Sequence, residues 1–439
     1  MNNIIVLAIM AFVLSVVSYK KTNGEIMSCS FVTSSLLYIG SVLLFFRSIV
    51  WGISLGEKAL ILLSLGLLAV CIAEFKSQKL YRKKQIYARN IIYKHYSFKF
   101  CNILICIYIL FTFLYALEIK RLGAMLGFYD LHAVGEVKAN IEDLHSSMNP
   151  IIRQSYKIVT SASYIHSLVF ANNVFLIKRK WYQEYKHLIP FICTIFITSA
   201  SGGRLNILKV MMGLIFISYI ALRESSQWKK LYIGKISKIA IPLVFVFLIL
   251  FNSVSLIVKA NADTKEKSAA FDYISYYAGS PIKVFDIKTE DGREKWSFSR
   301  FGNYTFSGIY KILGFNEDTK ADKIGKGMVY LGGISDKAGN AQTIFGAAYQ
   351  DFGFIGMLLF IYITYFLFCK YYYKNILNSY SSYSRNKKLL IYTYCYVSII
   401  VMAFYDNCYW ILLSTTGLLT LIVLLVMYWI YFKKLIIRT

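Results

Sequence analysis

Thr198-Ser199-Ala200-Ser201-Gly202-Gly203-Arg204 forms a polar hairpin between two apolar runs, 188–197 and 205–221. Each run is apolar enough for a membrane span or deep core, so an arginine between them needs a partner. Gly202-Gly203 predicts a helix break, after which a second helix restarts with Arg204 in its first turn. Free N–H groups, the positive end of a helix dipole and a guanidinium then converge on one point, and the chemistry suited to it is anion binding. Lys209 follows in the same run, more than a turn deeper at about 1.5 Å rise per residue. An ordinary interhelical turn with a snorkelling arginine uses the same residues, and this stretch alone does not separate the two readings. Asp351 and Asp406 lie at the ends of later apolar runs, either as salt-bridge partners or as acid/base groups.

The elements that must position these groups follow from composition. The chain has 439 residues, 57% of them hydrophobic and only four of them proline, with a mean hydropathy of +0.52. Long uninterrupted apolar runs of this kind describe an all-α polytopic membrane protein. The net charge of +26 gathers in short segments between or after the apolar runs, which points to membrane topology and away from nucleic acid. There is no Walker loop, Rossmann glycine pattern or HExxH. The eight cysteines lie mostly inside apolar runs, with no CxxC pair or His/Cys spacing of a metal site. Free thiols, no metal and no cofactor are expected.

About eleven spans are predicted, near 3–19, 31–50, 58–74, 101–118, 158–177, 187–200, 205–222, 239–258, 344–368, 389–405 and 410–432. The first lacks a basic leader and a cleavage site, and reads as a retained span. With the basic segment 76–99 inside, alternation places 178–180, 223–238, 370–388 and 433–434 inside too, without conflict. Membrane helices 1–8 then occupy 1–258, an external loop or cap 259–343, and helices 9–11 the remainder, 344–439. The loop between spans 8 and 9 balances 13 basic against 11 acidic residues over 259–342, and its aromatics and glycines predict a folded cap.

Several stretches together resemble a known family. Thr198 to Arg204 with the following Leu205 resembles the serine/glycine-arginine motif of bacterial oligosaccharide repeat-unit polymerases, the Wzy-type O-antigen and capsule polymerases. Tyr276-Tyr277-Ala278-Gly279-Ser280-Pro281 through Asp286 is similar to their external-loop segment, and Thr305 to Tyr310 to the element after it. Gly339-Asn340-Ala341-Gln342-Thr343 through Tyr349, Asp351, Gly353 and Gly356 is similar to the segment entering the next span. The likeness covers about the middle third of the chain. It implies a metal-independent, GT-C-like glycosyltransferase at the outer face of the bacterial cytoplasmic membrane, acting on undecaprenyl-diphosphate-linked oligosaccharide. It would join repeat units into O-antigen or capsular polysaccharide beside a flippase and a chain-length regulator. Under that resemblance Arg204 and Asp351 are the catalytic candidates, the cation for the leaving diphosphate and the base for the acceptor hydroxyl. Lys209, Arg293, Arg300, Asn340, Tyr349 and Tyr277 are candidates for substrate binding. The related O-antigen ligases carry a histidine where this chain has Gly339, which weighs against a ligase. A flippase or exporter would be expected to show repeated halves with charge along a central cavity, whereas here polar residues gather on one face.

Overall fold

The computed structural model describes residues 2–81, 92–97, 100–129, 134, 136–137, 147–201, 204–229, 270–290, 301–314, 329–332 and 338–434. Its longer helices are α1 (Asn3–Lys21), α2 (Cys29–Trp51), α3 (Glu57–Tyr81), α4 (Cys101–Met125), α5 (Pro150–Ala171), α6 (Ile189–Ala200), α7 (Arg204–Ser225), α8 (Ala270–Glu290), α9 (Thr343–Tyr371), α10 (Tyr383–Ile399) and α11 (Thr415–Trp429). Eight stretches among the described residues are long and apolar enough to cross a membrane: α1 to α4, residues 205–225, 343–376, 383–404 and 415–432. The protein is therefore an all-α polytopic membrane protein. Among the described residues the single sheet is a two-residue antiparallel pairing of Val329–Tyr330 with Ala338–Gly339.

Three of the eleven expected spans stand apart from those eight. The run at 187–200 lies in a shorter apolar helix, Tyr185–Ala200, and 239–258 falls outside the described residues. The run at 158–177 is helical in α5, but serines, threonines and His166 make it too polar to qualify. It is nonetheless mostly buried, because its hydroxyls bond back into the fold: Ser163 Oγ to Thr160 O, Ser167 Oγ to Ser163 O, and Ser161 Oγ to Thr420 O at 3.1 Å. A helix clothed by other helices does not need an apolar exterior.

The helices form two compact units, each drawn from discontinuous stretches of the chain. Unit 1 comprises Met1–Lys84, Ser268–Leu377 and Cys395–Leu418; unit 2 comprises Gln85–Lys267, Asn378–Tyr394 and Leu419–Thr439. In unit 1, α1 packs on α2 and α3, α3 on α9, and α8 on α2. Close approach of α8 is possible because Gly40 carries no side chain; a Cβ there would meet Ala278 O at 2.7 Å. Glu74 of α3, fully buried, accepts from Ser30 N and Tyr373 Oη, both at 2.6 Å, and so ties together three helical segments. A stretch expected as external cap thus supplies a helix whose Ile282, Val284 and Phe285 are buried.

In unit 2, α6 returns antiparallel between α5 and α7. Thr194 Oγ1 reaches Val159 O at 3.1 Å, while Phe191 and Ile195 pack with Ile207, Val210, Met211 and Leu214. The two outer helices consequently run in the same direction, and a Cβ on Gly213 of α7 would come within 2.7 Å of the Tyr164 ring of α5.

Candidate functional site

In unit 2, α6 ends at Ala200 with Ser201 as its C-cap and Arg204 is the first residue of α7, while the expected break at Gly202-Gly203 lies outside the described residues. Its side chain lies outside the description. Lys209 is 7% exposed and forms no hydrogen bond or ion pair among the described residues. A buried ammonium without a carboxylate is costly, which is the situation an incoming anion relieves.

The sequence reading missed that α5 brings cations to the same end. Arg153 and Lys157 occupy its first two turns, and α5 and α7 start from one end of the unit. Lys157 is also buried and is held by Gln154 Oε1 at 2.5 Å. Gly213 is four residues beyond Lys209 and Tyr164 seven beyond Lys157, so the two lysines leave their helices within about one turn of the same level. Tyr115 and Tyr156 flank this end, with ring centroids 6.5 Å apart. A carboxylate of α4 completes the scaffold: Glu118 accepts from Arg121 at 2.7 Å and from Asn149 N, the N-cap of α5, at 2.7 Å. The signal that could have found Lys157 was its place about two turns into a helix whose neighbour carries Lys209. The turn between those helices hides that relation in a linear reading.

Unit 1 collects a different set. Asp351 is 3% exposed, and its oxygens accept from Tyr304 N at 2.8 Å and Thr305 N at 2.6 Å. Tyr304 Oη donates to Asp406 at 2.6 Å, Asn407 N donates to the other oxygen of Asp406 at 2.8 Å, and Asn407 Nδ2 donates to Thr305 Oγ1 at 2.7 Å. Both carboxylates therefore clamp the 304–305 backbone and side chains. Each oxygen of Asp351, the residue expected as the base, thus already holds one backbone donor. Burial pushes the Asp406 carboxyl above the usual carboxylate range, with Tyr304 and Asn407 pulling the other way. The Tyr304 phenol is raised too, by burial and then by the neighbouring Asp406 charge.

The backbone around this clamp is strained. Thr343 has φ 63, unusual for a β-branched residue, with its N–H on Tyr405 O at 3.0 Å and its hydroxyl accepting from Gly346 N at 3.3 Å. Gly353, two residues after Asp351, takes φ 68 and ψ −171 inside α9, a conformation open essentially to glycine alone. The apolar run from 354 on is thereby separated from the short helical entry that carries Asp351.

Of the remaining candidates, Tyr277 is half-buried and stacks on Tyr405 with centroids 6.4 Å apart. Its neighbour Tyr276 hydrogen-bonds Ala338 O. Tyr349 is edge-on to Phe285 and lies under Lys58 Nζ at 5.5 Å from its ring centre. Asn340 is exposed next to the short strand pairing. These four share unit 1 with Asp351, while Arg204 and Lys209 belong to unit 2. Arg293 and Arg300 lie outside the described residues.

The expectation that the chain offers no His/Cys cluster does not hold. The eight cysteines are free thiols, but Cys101, His166 and His187 meet in unit 2, with ligand atoms within 4.8 Å of one another. Sequence separations of this size carry no metal-site spacing, so only the fold reveals the cluster.

Comparison with protein-family models, with curated proteins and with solved structures finds no match for the chain.

Proposed function

We propose that the chain is a membrane glycosyltransferase that polymerises undecaprenyl-diphosphate-linked oligosaccharide repeat units into O-antigen or capsular polysaccharide. The reaction takes place at the outer face of the bacterial cytoplasmic membrane. The observation that carries this reading is the pair of buried lysines, Lys157 and Lys209, which enter their helices at nearly the same level from the same end of unit 2. In this reading they and Arg204, the first residue of α7, supply the cations of a diphosphate recess in unit 2. The acceptor hydroxyl attacks the anomeric carbon of the growing chain, the bond from that carbon to the diphosphate oxygen breaks, and the diphosphate leaves with the electron pair. Cations fixed in advance in a poorly hydrated site stabilise that departing charge and need no reorganisation as the bond breaks. Asp351 serves in this scheme by fixing residues 304 and 305.

The test is Arg204→Ala in cells that make the polymer, read by the length distribution of the glycan. Protein level and lipid-linked single repeats are expected to persist while long chains disappear. Arg204→Lys is expected to restore little, because a point charge does not reproduce the bidentate guanidinium fork. An unchanged length distribution in Arg204→Ala would remove this residue from the reaction.

A further inference from the structure

At the end of unit 2 away from Arg153, three side chains from separate elements converge. Cys101 is the first residue of α4, His166 lies late in α5, and His187 sits in the short helical turn Tyr185–Leu188 before α6. All three are at most 2% exposed. His166 Nδ1 and His187 Nδ1 are 2.9 Å apart, and the Cys101 sulfur completes a triangle whose ligand atoms all lie within 4.8 Å. From these residues we propose a thiolate-loving metal site, Cys101–His166–His187, for a closed-shell ion of the zinc(II) or copper(I) type.

The surroundings of the two imidazoles favour that use. A ligating histidine usually has its second nitrogen held by a carboxylate, carbonyl or hydroxyl, which fixes the ring and its tautomer. Here His187 Nε2 faces Glu184 Oε2 at 3.5 Å, and His166 Nε2 faces Tyr431 Oη at 3.3 Å. Glu184 is itself fixed by Arg179 at 3.1 Å and Asn173 Nδ2 at 2.8 Å, and Tyr431 hydrogen-bonds with Tyr108. Both rings are thus anchored by their outer nitrogens and turn their Nδ1 atoms toward one another, beside the Cys101 thiol. A sulfur and two imidazoles suit zinc(II) or copper(I) and are a poor set for magnesium or calcium, which take oxygen ligands.

A hydrogen bond between the two Nδ1 atoms needs one proton between them, and the Glu184 carboxylate facing His187 Nε2 assigns that proton to His166 Nδ1. On metal binding His166 takes its proton on Nε2, facing Tyr431, so both Nδ1 lone pairs reach the ion. The Cys101 thiol ionises, and one proton per ion is released to solvent. Three protein ligands leave a fourth position of a tetrahedral zinc ion open. The ion would tie the starts of α4 and α6 to α5, at the opposite end of that helix from the cationic recess.

The experiment uses full-length protein purified in detergent through a tag without histidine, stripped with chelator, and titrated with zinc(II), cobalt(II) or copper(I) alone. One tightly held zinc per chain is expected, and cobalt is expected to give a thiolate-to-metal charge-transfer band. That band should vanish in Cys101→Ser and persist in Cys106→Ser, whose parent cysteine is exposed on the same helix. In the wild-type chain, zinc should slow maleimide labelling of Cys101 in mildly opened protein at least tenfold and leave Cys106 unaffected, a readout that does not depend on a variant folding. Copper(I) displacing zinc at one equivalent would assign the occupant as copper and keep the site. Absence of the band together with unchanged Cys101 labelling under zinc and under copper(I) overturns the proposal.

Discussion

Replacing Asp351 with asparagine separates a base from a clamp. In the wild-type chain both carboxylate oxygens accept backbone N–H groups, Tyr304 at 2.8 Å and Thr305 at 2.6 Å, in a setting that is 3% exposed. Asparagine keeps one acceptor oxygen and turns an amide nitrogen toward the other donor. One charge-assisted bond is lost, the second weakens to a neutral one, and a buried N–H is left without an acceptor. Together these cost about 2–4 kcal/mol. The cost falls on the 301–306 segment, because Glu74 and the helix contacts of unit 1 are untouched. Backbone amide exchange reads it directly: protection at Tyr304 and Thr305 should fall roughly 30- to 700-fold, at 1.4 kcal/mol per factor of ten. Peptides of α2 and α3 should exchange as before. Glycan polymerisation measured in parallel should fall together with that protection. If polymerisation is abolished while the exchange of residues 304 and 305 is unchanged, the clamp argument is refuted and a proton-transfer role returns.

Further tests address the remaining parts of the fold and site. Lys209→Met and Lys157→Met should each shorten or abolish the glycan at normal protein levels, and the double variant should lose no more than the worse single one if both hold a single diphosphate; additive, mild effects would contradict a shared recess. Gly353→Ala places a Cβ on a backbone at φ 68 and ψ −171 and should cost about 1–3 kcal/mol, seen as a lower midpoint of thermal unfolding in detergent; an unchanged midpoint would mean that the break in α9 is not obligatory. Arg385→Met strands the buried Glu224, its ion-pair partner at 3.0 Å, and should cost about 3–5 kcal/mol, with Glu224→Gln in the same chain recovering much of it. Single cysteines at Ser297 and Ser382 should label from outside and inside respectively in intact cells, and the reverse result at either would invert the proposed orientation.

Much of the architecture was legible in the sequence because a bilayer imposes a local rule. A helix long enough to cross and exposed to lipid must be apolar along its length, so α1 to α4 and the stretches at 205–225, 343–376 and 415–432 announce themselves by composition. The helix break before Arg204 was readable for a similar reason, since Gly202-Gly203 between apolar runs is a local signal. The rule fails for α5, whose exterior is other helices, so its serines and threonines conceal a buried element.

The sequence by itself settled that this is a helical membrane protein with a cation at the start of a restarted helix, because span length and backbone punctuation are local properties. Only the tertiary structure decided which distant residues share a site. It set Lys157 at the level of Lys209 through the antiparallel return of α6, and it turned Asp351 inward to hold residues 304 and 305. It also gathered Cys101, His166 and His187 around one point. These meetings depend on how helices pack side by side, and neither hydropathy nor the spacing of residues along the chain encodes that register.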